Sequence, residues 1–329
     1  MKAVWYEQYG NARDVLKFGE LEVQNPKSHE IRVSVKVSGL NPTDIKRRRG
    51  TSAANPKFLK VIPHMDGSGI VGDVGSDVHN FKRGDRVWLY ESQFGTAFGT
   101  AAEYVVVPEH RAVKLPDGVS FDVGASLGVP AITAHRCLFQ DGPIEGKTIL
   151  VQGGAGAVGK YAIELAKWGN AASVIATVSS QEKAEVALEA GADHVVNYKT
   201  EDAVEKIKAL APGGVDLVAE VSFGSNWEVD ATLLGPNGVI SAYSSDSQRE
   251  PKISFPALMG KNLTVHFVLV YMMTKEAHDD AIRDIQGALG KKYLTPTIAG
   301  RFPLSKTVDA HEFLESGKAV GKILVDVAQ

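Results

Sequence analysis

The chain opens with short stretches in which apolar and polar residues take turns. Ile31 to Val37 alternates strictly, the period of a half-buried strand. Gly69 to Gly75 predicts a strand punctuated by glycine, and Arg83-Gly84-Asp85 a turn feeding a strand over Arg86 to Tyr90. Ala102 to Val107 is a further strand, ended by Pro108. Strands of this length, cut by turns over residues 1–125, predict a small antiparallel barrel. From residue 126 the period changes. Strands are predicted at 147–152, 173–178, 194–196, 215–221, 238–243 and 263–271. Helices are predicted between them at 158–168, 181–190 and 201–210. Strand and helix in alternation imply a parallel sheet wound on both faces, so the fold class is α/β. We read residues 126–270 as that domain. In the tail, 271–329, helices over 275–289 and 306–315 precede a strand over 321–327, and the tail is expected to return to the first domain.

Composition narrows the function classes. The chain has 329 residues, 44% of them hydrophobic and 23% charged, an ordinary globular mixture large enough for two domains. A net charge of −3 gives no drive toward nucleic acid or an anionic membrane. The longest apolar run, Phe267 to Met273, falls far short of the roughly 18 residues of a membrane span. The start lacks an apolar signal region. A single cysteine, Cys137, leaves no intramolecular disulfide and fits a reducing compartment, so a cytoplasmic location is expected.

Gly154-Ala155-Gly156-Ala157-Val158-Gly159 is a G-x-G-x-x-G between a predicted strand and a predicted helix, the context in which the motif binds a dinucleotide. The first glycine is expected to make the tight turn, the second to let backbone approach a pyrophosphate, and the third to let helix and strand close up. The pyrophosphate would sit on the free amides of the helix N-terminus. A glycine-rich turn without a ligand is the plainer alternative. An NAD site usually has an acid at the end of the next strand. Here Thr177 to Lys183 offers Ser179, Ser180 and Lys183 instead, which suit the 2′-phosphate of NADPH. Glu182 should face away. Alternatively Ser180 caps the helix and Lys183 is a solvated surface lysine.

Several short motifs, in order, resemble the medium-chain dehydrogenase/reductase superfamily and its zinc-free, zeta-crystallin-like quinone oxidoreductases. They are residues 38–44 (Ser-Gly-Leu-Asn-Pro-Thr-Asp), 67–71, 81–87, 102–108, the glycine loop, 191–198 and 321–325. The resemblance spans essentially the whole chain. It implies a GroES-like catalytic domain built from both ends of the chain around a Rossmann domain, with the active site in the cleft. It also implies that Ser179, Lys183 and Tyr198 surround the 2′-phosphate, and that Gly156, Ala157, Val158 and Gly159 cradle the pyrophosphate. Tyr243 and Ser244 would line the ribose. Val268, Leu269 and Val270 would offer backbone groups to the carboxamide, with Asn41 and Thr133 near the nicotinamide. A homodimer formed through the edge strand at 265–271 is expected.

Zinc alcohol dehydrogenases of the superfamily place ligands where this chain has Asn41, Met65-Asp66 and Val129. Only Asp66 could bind a hard metal, so no metal is expected. His64 and Asp66, two apart on a strand, should face one side as surface or substrate-lining groups. Lys46-Arg47-Arg48-Arg49 reads first as a solvated helix face, or else as bases at the cleft mouth drawing an anionic ligand. His135 and Cys137 read as helix packing residues.

These readings predict a zinc-independent, NADPH-dependent reductase of quinones or other activated enones. Asn41 is the first candidate to polarise the acceptor's carbonyl, and Asp44 or Lys46 could serve substrate or proton path. Alternatives are a reductase of one enone or enoyl thioester using the basic run, an NADPH-binding structural or sensing protein, and, most weakly, a zinc alcohol dehydrogenase.

Overall fold

The computed structural model describes residues 1–52 and 58–327. They form two units: Met1–Val129 joined by the segment from Pro296 onward, and Pro130–Thr295. The expected boundaries at 125/126 and 270/271 therefore move to 129/130 and 295/296. The helix expected at 275–289, with Ala281, Ile285, Ala288 and Leu289 buried, falls within the second unit.

In the first unit β1 (Lys2–Trp5) pairs with β2 (Lys17–Glu20) across a one-turn helix, α1 (Ala12–Val15). Next come β3 (Glu30–Leu40), α2 (Pro42–Arg49), β4 (Asp66–Val74), β5 (Arg86–Leu89), β6 (Tyr104–Pro108), β7 (Ala112–Lys114) and α3 (Phe121–Phe139), whose residues from Pro130 onward belong to the second unit. The strict alternation of 31–37 becomes β3, whose Ile31, Val33 and Val35 are buried while Arg32, Ser34 and Lys36 are half-exposed. Each such burial contributes about 1.5–3 kcal/mol.

The second unit runs β8 (Thr148–Val151), α4 (Ala157–Trp168), β9 (Ser173–Val178), α5 (Gln181–Glu189), β10 (His194–Asn197), α6 (Ala203–Leu210), β11 (Val215–Glu220), α7 (Phe223–Leu233), β12 (Leu234–Ala242), α8 (Phe255–Met259), β13 (Thr264–Phe267) and α9 (Lys275–Gly290). Its six strands are all parallel, in the order β10-β9-β8-β11-β12-β13. The strand expected over 263–271 is shorter. Its last pairing is Phe267 with Ala242, the end of β12, and only Val268 reaches back, donating to Ala242 O. Without a further partner the chain turns into a 3₁₀ turn at Val270–Met272.

The chain then returns to the first unit as β14 (Ile298–Pro303), α10 (Thr307–Glu315) and β15 (Lys322–Asp326). There the sheet has seven strands, ordered β14-β15-β3-β4-β5-β7, with β6 also on β3. Antiparallel register sets Leu324 opposite Gly39 and Ile323 opposite Leu40, while Gly39 also faces Asp66 on β4. This register brings residues 41, 66 and 322 to one end of the sheet.

Candidate active site

The second unit carries the glycine loop. Gly153, at φ +73, makes the left-handed turn that was expected of Gly154. Gly154 serves packing instead, since a Cβ there would lie 2.8 Å from the Ala176 side chain. At Gly159 a Cβ would meet Gly153 O at 2.2 Å, so α4 can sit this close to the loop only without a side chain. At Gly156, the residue before α4, the nearest atom to such a Cβ is Gly153 O at 3.4 Å, leaving an open face above the backbone. The amides of Ala157, Val158 and Gly159 begin α4 and lack intrahelical acceptors by helix geometry. This is a cradle shaped for a pyrophosphate, and the residues present fit that group.

A side-chain lattice props the loop from below. Gly153 N donates to Thr177 Oγ1 at 3.2 Å, and Thr177 Oγ1 donates to Gln152 Oε1 at 2.6 Å. Gln152 Nε2 donates in turn to Asp230 Oδ1 at 2.8 Å. Burial beside Glu220 raises the Asp230 carboxyl well above the usual range. No motif in the sequence announced these residues, which come from four separate segments. A cavity of about 330 Å³ lies against Gly153, Thr177, Tyr198, Asp202, Ser222 and Asn226. It opens at the carboxyl ends of the strands, beside the β8/β11 point where strand order reverses, as ligand sites in such sheets do.

Ser179, Ser180, Lys183 and Tyr198 come together because β9 and β10 are parallel neighbours ending side by side. Lys183 Nζ donates to Ser179 Oγ at 3.0 Å, and Tyr198 is half exposed. Ser180 Oγ accepts from Lys183 N at 3.3 Å, so it does cap α5. Glu182 is exposed while Lys183 is half-buried, as expected of neighbours on a helix. Tyr243 and Ser244 follow β12, with Tyr243 N on Glu220 O and Ser244 O accepting from Phe223 N. Val268 and Val270 are buried and Leu269 is half exposed. Thr133 is buried in α3. His135 Nε2 lies 2.9 Å from Asp284 Oδ2 and its ring packs on Phe139. Cys137 is fully buried, which pushes its thiol far up. Both are packing residues, as expected.

The first unit gathers a second set. Asn41 N donates to Asp44 Oδ2 at 2.8 Å, closing a capping box at the start of α2. Asn41 Nδ2 donates to Asp66 Oδ2 at 2.8 Å, and its Oδ1 accepts from Lys322 Nζ at 2.6 Å. Lys322 Nζ also reaches Asp66 Oδ2 at 2.8 Å, while Asp66 Oδ1 accepts from Val129 N at 2.9 Å. All of these side chains are nearly or fully buried. Both ends of the Asn41 amide are thus engaged inside the protein. Lys322, an ammonium tied to both Asn41 and Asp66, was not singled out in the sequence. Burial, reinforced by the Asp66 charge, pushes the Asp44 carboxyl up to about 7.

Two expectations about charged residues fail here. Arg47 and Arg48 are not on a solvated face. Arg47 Nε donates to Gln93 Oε1 at 2.8 Å and its guanidinium lies over Phe94, while Arg48 is fully buried against Glu315 and Gly10 O. Only Arg49 of the run is exposed; Lys46 is half-buried. His64 and Asp66 are not surface groups either, and their side chains bond different partners. His64 has φ +81, which breaks strand alternation before β4 begins. It turns to Ser38 Oγ at 2.8 Å and His311 at 3.0 Å, and burial pushes its imidazole down to about 3. Among the described residues no three His, Cys, Asp or Glu side chains gather as a metal-binding group.

This architecture has known relatives. Residues 27–117 match the alcohol dehydrogenase GroES-like domain family, and residues 157–286 match the zinc-binding dehydrogenase family. The chain is 31% identical to the quinone oxidoreductase of Lama guanicoe over 329 residues, covering 99% of this chain and 97% of that one. The chain belongs to the zinc-free quinone oxidoreductases of the medium-chain dehydrogenase/reductase superfamily. The chain is also 31% identical to the 2-methylene-furan-3-one reductase of Solanum lycopersicum, over 99% of this chain and 79% of that one. The structure of the Escherichia coli quinone oxidoreductase complexed with NADPH superposes with a TM-score of 0.87 and 28% identity, covering 99% of this chain and all of that one. The GroES-like and Rossmann domains expected from the sequence are those of the family.

Proposed function

We propose that this protein is an NADPH-dependent oxidoreductase that reduces quinones or other activated enones. The observation that carries the reading is the open cradle at Gly156 to Gly159 after β8, with the Ser179–Lys183 pair at the end of the neighbouring strand β9. NADPH, when bound, supplies a hydride from its nicotinamide. Ala157, Val158 and Gly159 hold the pyrophosphate. Ser179, Lys183 and Tyr198 hold the 2′-phosphate, and Ser180 keeps the start of α5 in place beside it. Tyr243 and Ser244 serve the ribose, the backbone of Val268, Leu269 and Val270 serves the carboxamide, and Thr133 borders the nicotinamide. On the acceptor side Asp44 and Lys46 remain the candidates. Asn41 organises the charged cluster rather than offering a spare donor.

The enoyl-thioester reading loses its motive, since Arg47 and Arg48 are spent on internal contacts. No helix among the described residues is long and apolar enough to cross a membrane. A cytoplasmic enzyme and a homodimer joined at β13 complete the proposal.

The deciding experiment follows cofactor oxidation by the EDTA-treated protein, with NADPH and NADH in parallel, against quinones and enones. Turnover selective for NADPH and indifferent to the chelator is expected. Binding of NADPH without turnover of any acceptor would favour a sensing or structural role, and activity lost with the chelator would overturn the zinc-free chemistry.

A further inference from the structure

Asp44 has one oxygen in use and one idle. Oδ2 accepts from Asn41 N at 2.8 Å, whereas Oδ1 is buried without a hydrogen-bond partner in a residue only 2% exposed. A buried carboxylate oxygen with nothing donating to it is costly, and a proton there lowers that cost by removing the buried charge. Two opposite charges lie on the other side of Asn41: Asp66 from β4 and Lys322 from β15, paired at 2.8 Å and both almost completely buried. Arg47 on the same helix and Tyr6 just beyond β1 also interact with Asp44. Buried charges act on one another far more strongly than exposed ones, because little water screens them. Gly128 keeps the arrangement tight. A Cβ there would fall 2.0 Å from Asp66 Oδ1, and the next residue, Val129, donates its N–H to that oxygen.

We propose that Lys322 and Asp66 are positioning residues that pull in opposite directions on a proton held at Asp44 Oδ1, the proton that completes reduction of the acceptor. Its catalytic use rests on the function proposed above. Hydride brings two electrons to the acceptor. The carboxyl O–H bond breaks, the proton passes to the reduced acceptor, and water re-protonates the carboxylate. The near-neutral Asp44 carboxyl, raised by burial and then by Asp66 and lowered by the Asn41 N–H and Lys322, agrees with this arrangement. It keeps an appreciable fraction of both protonation states at neutral pH, as a group that gives and regains a proton needs.

The test begins without cofactor. In pH-difference infrared spectra, the protonated-carboxyl band that disappears in Asp44→Asn identifies Asp44. Its midpoint should move up by roughly one pH unit in Lys322→Gln and down by a similar amount in Asp66→Asn. Removing one member of a buried pair can unfold a protein. The double variant Lys322→Gln/Asp66→Asn removes both charges together, and its midpoint should fall between those of the single variants. The kcat/KM profile should follow the same opposed shifts while NADPH affinity stays unchanged. No band assignable to Asp44, or shifts of the same sign in both variants, would overturn the proposal. Opposed infrared shifts in a protein that oxidises no NADPH would leave the charge arrangement standing and overturn both the function and the catalytic use of the proton.

Discussion

Lys183 is a side chain whose role is decided by what stands beside it. Alone it is one of many lysines. Held at 3.0 Å from Ser179 Oγ, at strand ends that carry no acid, it is the charge we propose for a 2′-phosphate. Lys183→Ala should weaken NADPH binding about 10- to 100-fold, the equivalent of one charge-assisted hydrogen bond, and leave NADH binding nearly unchanged. Cofactor fluorescence titration reads both; an equal loss for the two cofactors would place the 2′-phosphate elsewhere. Ser180 differs, because its hydroxyl oxygen is committed to the cap. Arg47 and Arg48 make the converse point. A basic run looks like surface in any linear reading. Their acceptors, Gln93, Gly10 and Glu315, lie up to 267 positions away, so the run's burial has no local signature.

At the scale of elements, the strand-loop-helix of β8 and α4 was legible because each glycine answers a local steric demand. Gly156 and Gly159 separate two demands that the motif merges. Gly159→Ala drives a Cβ against backbone 2.2 Å away, which should lift α4 from the loop and cost about 1–3 kcal/mol. Gly156→Ala has room, and should fold with nearly unchanged thermal stability while its methyl group obstructs the pyrophosphate. Thermal melts with and without NADPH separate the two. Gly159→Ala melts lower in both conditions, and Gly156→Ala loses only the stabilisation that the ligand provides. A Gly156→Ala protein still fully stabilised by NADPH would remove the pyrophosphate from this loop. Element ends were less legible. The apolar run at 263–271 satisfies a strand pattern throughout, yet pairing stops where β12 stops. Helix α7 was not anticipated from the sequence, for Phe223–Leu233 mixes Gly, Ser, Asn and Asp among its apolar residues.

For the whole molecule, the exposed edge of the parallel sheet poses the remaining question. Among the described residues β13 pairs only with β12, and its last residue, Phe267, is 74% exposed. Soluble proteins cover or charge such edges. In the proposed homodimer a second copy supplies the cover. Light scattering at micromolar concentration should give twice the chain mass, and Phe267→Lys should shift it toward the monomer. A wild-type protein that stays monomeric would refute edge pairing.

Local chemistry alone determined much of this protein. Periods of two and then about 3.6 identified the two domain types, and glycine sterics placed the proposed cofactor loop. The missing acid after β9 pointed to NADPH, because a phosphate needs donors and charge where a hydroxyl needs an acceptor. Only the tertiary structure decided how buried charges are paired. Lys322 lies 281 positions from Asn41 and 256 from Asp66, and the antiparallel register of β15 on β3 brings them together. Register places polar groups where water is excluded, and there an ion must find its partners inside the protein. Neither periodicity nor motif spacing encodes which distant residue that partner will be.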